Sequence, residues 1–303
     1  MADKWLISIV GPTGIGKTSL AIKLAQHFET EIISADSRQF FKEMAIGTAV
    51  PSREELETIK HHFIQNISIF DEYSVGDFER DAIALLHELF KKSNIVIMVG
   101  GSGLYIDAIT KGLDKFPEVD PNIRVQLNKL LKDQGISVLQ EKLSVLDPTY
   151  FNKVDTENPH RLIRALEICM GTGKPFSSFL HQNKVVRDFK TISIGIDAER
   201  HIIYDRINQR VDLMVEAGLV DEVRSLEPQK ALNALQTVGY RELFKYFEGD
   251  WTLDFAISEI KKNTRRFAKR QLTWFKKNEQ TIWVDYLEDI DSIVDKIKQK
   301  FKI

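Results

Sequence analysis

Short runs of apolar residues alternate along the chain with longer stretches in which apolar positions recur at helical spacing. The runs are Leu6–Val10, Glu31–Ala35, Phe63–Ile67, Ile95–Val99, Thr191–Ile196 and Thr281–Val284. Runs of this length bounded by turn residues predict buried strands, and their alternation with helices predicts a parallel sheet covered on both faces. The first run extends back to Trp5, and a helix is expected over Ser19–Phe28. Between about Leu113 and Asp188 the rhythm breaks and helix signals replace strands. Asp120-Pro121 joins an N-cap to a proline at the first helical position, with Gly135 as the stop; Asn158-Pro159 repeats the start, with Gly171 as the stop. The expected organisation is an α/β core over 1–112 and 187–303, interrupted by a helical insert over 113–186 and closed by a helical C-terminal region.

That last region has an unusual charge pattern. Ile260–Lys277 holds eight basic residues and no acidic one. Ile260, Phe267 and Trp274 fall seven apart, which predicts one apolar seam with most of the basic residues on the opposite arc. Interspersed acids are usual on a merely soluble face, so an uncompensated block including Arg266 and Arg270 points to a polyanion.

Composition sets wider limits. The 303 residues are 43% hydrophobic and 28% charged, an ordinary globular balance. A net charge of −2 gives no global attraction to nucleic acid, so any such site must be a local basic patch. The single cysteine, Cys169, excludes an internal disulfide and suits a reducing cytoplasm. No apolar run approaches the ~18 residues of a membrane span, and the stretch after Lys4 is too short for a secretory signal. His27, His61, His62, His87, His160, His181 and His201 show no metal-ligand spacing with nearby acids.

The sharpest chemical signal is Gly11-Pro12-Thr13-Gly14-Ile15-Gly16-Lys17-Thr18, which fits the phosphate-loop pattern G-x-x-x-x-G-K-[ST] between a strand and a helix. Backbone N–H groups and a helix N-terminus there would converge on an anion, Lys17 would add a positive charge, and the Thr18 hydroxyl would face a Mg²⁺. A nucleotide-hydrolysing enzyme of this type normally carries an acid at the tip of a second strand. Here Ile95–Val99 ends in Gly100-Gly101-Ser102-Gly103, which counts against a motor ATPase or a switch GTPase. The other candidate tip, Asp36-Ser37-Arg38-Gln39, puts a carboxylate across the crevice from the phosphate loop, as general base or Mg²⁺ partner. In the insert, Arg161 and Arg164 lie off the apolar stripe of the helix that starts at Asn158, and Arg near a helix start suits an anionic ligand.

Together these segments resemble the tRNA dimethylallyltransferase (isopentenyltransferase) family. The matching motifs are Gly11–Thr18, Ile33–Gln39, Ile46–Ala49, Val99–Tyr105, Asn158–Glu167, Val238–Glu242 and Ala268–Phe275, in family order over nearly the whole chain. Two positions depart from the pattern: Ser102 stands where the family usually has Thr, and His160 where it often has Gln. The resemblance implies a P-loop NTPase-like fold and transfer of a dimethylallyl group from dimethylallyl diphosphate to N6 of the adenine on the 3′ side of the anticodon. It implies Asp36 as base, Ser102, Lys17 and Arg210 at the diphosphate, and the whole Gly11–Thr18 loop as the diphosphate cradle. tRNA contacts are implied for Asp36, Ser37, Arg38, Gln39, Ser102, Arg124, His160, Arg161, Leu162, Ile163, Arg164, Val238, Gly239, Tyr240, Arg241, Glu242, Arg266 and Arg270. A cytoplasmic monomer using Mg²⁺ is expected. Prenylation of free AMP, a small-molecule kinase and an RNA-binding protein with a vestigial phosphate loop remain as alternatives.

Overall fold

The computed structural model describes residues 3–180 and 185–301; His181 lies outside them. The chain divides into two compact units, Met1–Thr110 with Arg187–Ile303, and Lys111–Val186.

The larger unit is built on β1 (Trp5–Val10), in which all six residues are buried. The phosphate loop follows and leads into α1 (Lys17–His27), then β2 (Ile32–Ser34). Next come α2 (Arg53–Thr58), β3 (His61–His62), α3 (Val75–Leu89), β4 (Ile95–Val99) and α4 (Gly103–Lys111). Ser52 with Glu55, and Ser74 with Asp77, form reciprocal capping boxes that fix where α2 and α3 begin. The strands make one six-stranded sheet, order β3-β2-β4-β1-β5-β6, in which every pair is parallel; β5 is Lys190–Asp197 and β6 is Ile282–Asp285. One apolar cluster packs α1 against one face of the sheet through Leu20, Leu24, Ile7 and Ile9. The other packs α3 through Phe78, Ala82 and Leu86 against Leu6, Val96 and Met98. Adjacent β1 residues thus feed opposite cores, which is why the run is apolar but for Ser8, whose buried hydroxyl donates to the Ile192 carbonyl (3.2 Å).

The expected strand over Phe63–Ile67 is not one. Pairing with β2 stops at His62, and Phe63 and Gln65 adopt left-handed backbone (φ 60° and 47°), which breaks an extended ladder. Only an isolated bridge, Phe41 to Ile67, returns the chain to the sheet direction.

In the insert, α5 (Pro121–Gln134) is capped by Asp120 and stops at Gly135. After α6 (Ser137–Leu146) and α7 (Pro148–Phe151), α8 (Pro159–Thr172) is capped by Asn158. This helix passes through Gly171 and ends at Gly173, which takes the left-handed conformation (φ 69°). Gly171 has a packing reason instead: a Cβ there would lie 2.4 Å from Val119 Cγ1. Leu127, Leu139, Leu143, Leu162, Ile163 and Leu166 form a core belonging to this unit.

Beyond β5, α9 (Arg200–Glu216), α10 (Leu219–Ser225), α11 (Tyr240–Phe247) and α12 (Leu253–Phe275) share a third cluster around Val211, Leu219, Tyr240 and Ile260. After β6, α13 (Ile290–Phe301) returns to the α1 side of the sheet through Ile293, Val294 and Ile297. The seam expected on α12 is corrected: its buried face is Ala256, Ile260, Ala268, Gln271 and Phe275, whereas Phe267 is 38% exposed.

Candidate active site

The carboxyl ends of β1, β2 and β4 open onto one cavity of about 510 Å³ within the larger unit. At the β1 tip, Gly11 has φ 145°, and a Cβ there would meet the Ile196 carbonyl at 2.7 Å, so the loop must start with glycine. No side chain caps α1 and no acid sits in its first turn, which leaves its N-terminus to an external anion. Lys17 arches back to donate to the Pro12 carbonyl (2.9 Å). Burial depresses its ammonium to about 8; nearby Asp36 opposes that and Arg210 reinforces it. Of the loop, Thr13 reaches the cavity wall.

At the β2 tip, Asp36 Oδ1 accepts from the Arg38 N–H (3.2 Å), and the carboxylate lies on the cavity wall with Ser37, Arg38 and Arg210. Burial draws the Arg210 guanidinium down, against the pull of Asp36 and Glu55. At the β4 tip, a Cβ on Gly100 would sit 2.4 Å from the Ala35 carbonyl, so the β2 and β4 turns touch through glycine. Ser102 Oγ accepts from the Ser37 N–H (3.1 Å) and lies 3.2 Å from Ser37 Oγ. Its own proton can go to Ser37 or to a ligand.

Residue 39 to residue 278 match the IPP transferase family. The chain is 65% identical over 298 residues to a tRNA dimethylallyltransferase of Christiangramia forsetii, covering 98% of this chain and 99% of that one. A tRNA dimethylallyltransferase of Flavobacterium johnsoniae is 60% identical over 305 residues, covering 99% of each. The chain belongs to the IPP transferase family. Among solved structures, a tRNA isopentenylpyrophosphate transferase from Bacillus halodurans superposes with TM-score 0.72 at 36% identity, over 99% of this chain and 96% of that one. A eukaryotic dimethylallyltransferase acting on tRNA gives TM-score 0.78 at 26% identity, over 98% and 77%.

In this IPP transferase the residues singled out for RNA separate into those on the cavity and those beneath it. Asp36, Ser37, Arg38, Ser102, Val238, Gly239, Arg241 and Arg270 line the cavity. Gln39 lies below, its amide donating to the carbonyls of Thr48 (3.2 Å) and Ala49 (2.8 Å). Tyr240 is fully buried and donates to Glu222 (2.7 Å). Glu242 is buried and accepts from the Gly239 N–H (2.8 Å) and from Asn263 (2.8 Å). These side chains shape the wall; they do not form it. Arg266 lies on an adjoining groove with Lys269, Arg270 and Lys277.

The insert needs the same correction. Leu162 and Ile163 are core residues, 0% and 3% exposed. Arg124 and Arg164 both bind the buried carboxylate of Glu167, each at 3.0 Å, so Glu167 holds the charge that an RNA phosphate was expected to meet. His160 and Arg161 are exposed at the start of α8.

Two supports went unnoticed in the sequence. Glu222 accepts from the N–H groups of Ala45 (3.0 Å), Ile46 (2.7 Å) and Gly47 (2.9 Å), holding the loop whose Gly47 and Thr48 reach the cavity. No local pattern marks it. Gln271 sits inside the quoted Ala268–Phe275 motif, yet only the fold shows what its amide touches.

Proposed function

We propose that this IPP transferase moves a dimethylallyl group from dimethylallyl diphosphate to the exocyclic N6 of an adenine in tRNA, the one on the 3′ side of the anticodon. The observation that carries this reading is the pairing, around one cavity, of a phosphate loop with a single strand-tip carboxylate, Asp36, while the β4 tip offers glycines and Ser102 but no acid. That set suits a diphosphate that departs, not a triphosphate attacked by a positioned water.

In the step, the bond between the allylic carbon and the diphosphate oxygen breaks, its electron pair leaving with diphosphate. The N6–carbon bond forms, and the N6 proton passes to Asp36. An adenine amine is a weak nucleophile because its lone pair is delocalised, so a base at that proton matters. Lys17, Arg210 and the α1 N-terminus oppose the charge gathering on the leaving group, and the Ser102 hydroxyl donates to its oxygens. The base must leave the anticodon-loop stack to reach Asp36. Arg38, Arg241 and Arg270 at the rim, with Arg266, suit the flanking phosphates.

Among the described residues no cluster of three His, Cys, Asp or Glu side chains could cage a metal. Mg²⁺ does not require one, because it keeps waters and binds through one or two protein oxygens plus substrate phosphates. Thr18 fits that donor set and would hold it, where it would neutralise charge on the diphosphate. No described helix is long and apolar enough to cross a membrane. A monomer working in the cytoplasm completes the reading.

Purified enzyme incubated with tRNA and dimethylallyl diphosphate should yield a prenylated adenosine by nucleoside mass spectrometry, with release of diphosphate. ADP formed stoichiometrically from added ATP, or modification of AMP in preference to tRNA, would replace this reading by the kinase or by the free-nucleotide enzyme.

A further inference from the structure

Gln271 is buried, 5% exposed, in the C-terminal half of α12, and the chemistry above does not use it. Its amide spans two strand tips that are remote in sequence. Oε1 accepts from the Thr13 N–H of the phosphate loop (2.9 Å), and Nε2 donates to the Gly101 carbonyl of the β4 turn (2.9 Å). The fit is close: a Cβ on Gly101 would lie 2.3 Å from Nε2 and 3.6 Å from Asp36 Oδ2. Glycine at 101 is therefore what lets the amide stand between the loop and the proposed base. Ser102 continues the line by accepting from the Ser37 N–H (3.1 Å). One hydrogen-bonded path thus runs from the diphosphate cradle, through Gln271 and the β4 turn, to the residue next to Asp36.

A primary amide suits this place because it presents one donor side and one acceptor side in a fixed plane. A carboxylate offers only acceptors, and a thioether offers neither role with strength. Without the amide, the Thr13 N–H and the Gly101 carbonyl lose their shared partner, and the loop can shift against Asp36. Displacement chemistry is sensitive to such shifts, since it depends on holding the reacting atoms in line.

We infer that Gln271 is a positioning residue, which clamps the first arm of the phosphate loop to the Gly101–Ser102 turn and so sets the distance between the bound diphosphate and Asp36. The kinetic part of this inference rests on the prenyl-transfer reading; the binding part does not.

The test uses the full-length chain, inorganic diphosphate by calorimetry, tRNA by filter binding, and single-turnover transfer from dimethylallyl diphosphate. Gln271→Met keeps the length of the side chain and removes both hydrogen bonds. Losing two such bonds should weaken diphosphate binding and slow transfer by about tenfold or more and lower the melting temperature, with tRNA affinity nearly unchanged. KM for dimethylallyl diphosphate should rise and kcat fall together, while KM for tRNA holds. If the Met variant fails to fold, Gln271→Asn, which stays a neutral amide but is one methylene too short to reach both partners, carries the test with the same split expected. Wild-type diphosphate affinity in a folded variant overturns the assignment. So does an equal loss of diphosphate and tRNA affinity, which marks a merely structural role. A variant that loses diphosphate affinity beside a wild type that transfers no prenyl group keeps Gln271 in place and removes the functional reading instead.

Discussion

Lys17 and Asp36 are the residues on which the electrostatics of the cavity turn. Burial brings the Lys17 ammonium to about 8, so in the free protein it loses its proton as the pH rises through that value. A bound diphosphate favours the charged form and lifts the pKa again. Affinity for diphosphate should therefore fall as pH rises above about 8, and binding there should take up a proton. The alkaline limb of kcat/KM, which reports the free enzyme, should lie at lower pH than that of kcat. Calorimetry in buffers of different ionisation heat checks the uptake, and an affinity flat between about pH 7 and about pH 10 would remove Lys17 from the cradle. Asp36→Asn keeps the size and the turn but not the base, and transfer should slow by roughly 10² or more with tRNA affinity nearly intact; near wild-type turnover would exclude Asp36 as the base. Ser102→Thr keeps the hydroxyl and should be tolerated, whereas Ser102→Ala should be slow, and equal rates for Ala and wild type would make this turn purely structural. These residues were legible in the sequence because phosphate loops and strand-tip acids are local patterns. Gln271 and Glu222 were not, because each acts on backbone that is far away in the chain, at Thr13 and Gly101 for one and at Ala45–Gly47 for the other.

At the scale of the element, α12 shows how a periodicity argument can find a helix and misplace its face. The seven-residue spacing of Ile260, Phe267 and Trp274 is real, but the helix crosses the cavity, so Phe267 and Trp274 line it, Ala268 and Phe275 go to the interior, and Gln271 is buried with its amide at the cavity wall. Small and polar residues can be core wherever a neighbour fits them, which a hydrophobicity pattern does not register. The basic block divides in the same way. Lys261 pairs with Asp212 (2.6 Å), Lys262 with Glu259 (2.7 Å) and Lys276 with Asp197 (2.8 Å), so acids from elsewhere and from the preceding turn neutralise part of it. Arg266, Lys269, Arg270 and Lys277 instead share one groove, where Arg270 lies over the Phe267 ring (5.7 Å) and Lys277 over the Trp274 ring (5.7 Å). Cations beside aromatic faces suit a nucleic-acid backbone with adjacent bases. Neutralising Arg266 and Arg270 together should weaken tRNA binding and flatten its dependence on salt, since fewer counterions are released. Diphosphate affinity and melting temperature should barely move, because both side chains are exposed. An unchanged salt slope would return the groove to plain solvated surface.

For the whole molecule, the alternation of apolar runs announced the parallel sheet, and the N-cap–proline pairs announced the helices of the insert. Strand order was not legible, because β1 lies between β4 and β5, partners set by crossovers that leave no local mark. The chemistry of the insert was the least legible part, since nothing in the sequence showed that Glu167 would face Arg124 and Arg164. Burial alone pushes the Glu167 carboxyl up, but hydrogen bonds and charge from the two arginines outweigh it and hold it below its ordinary 4.5. A depressed carboxyl stabilises the fold above its unfolded pKa, and that contribution is lost as pH falls. The insert should therefore weaken selectively below about pH 4.5. At neutral pH, Glu167→Gln should lower the stability of the insert by about 1–2 kcal/mol, a charge-assisted network discounted for two half-exposed arginines. The insert has its own apolar core, so the loss should remain within 111–186 as faster amide exchange. Diphosphate binding should stay at the wild-type level, since the cavity is built from the other unit. The same variant also tests the arginines as RNA ligands: freed from Glu167 they should bind tRNA more tightly if phosphates meet this face, and an unchanged tRNA affinity would assign Arg124 and Arg164 to the architecture of the insert alone.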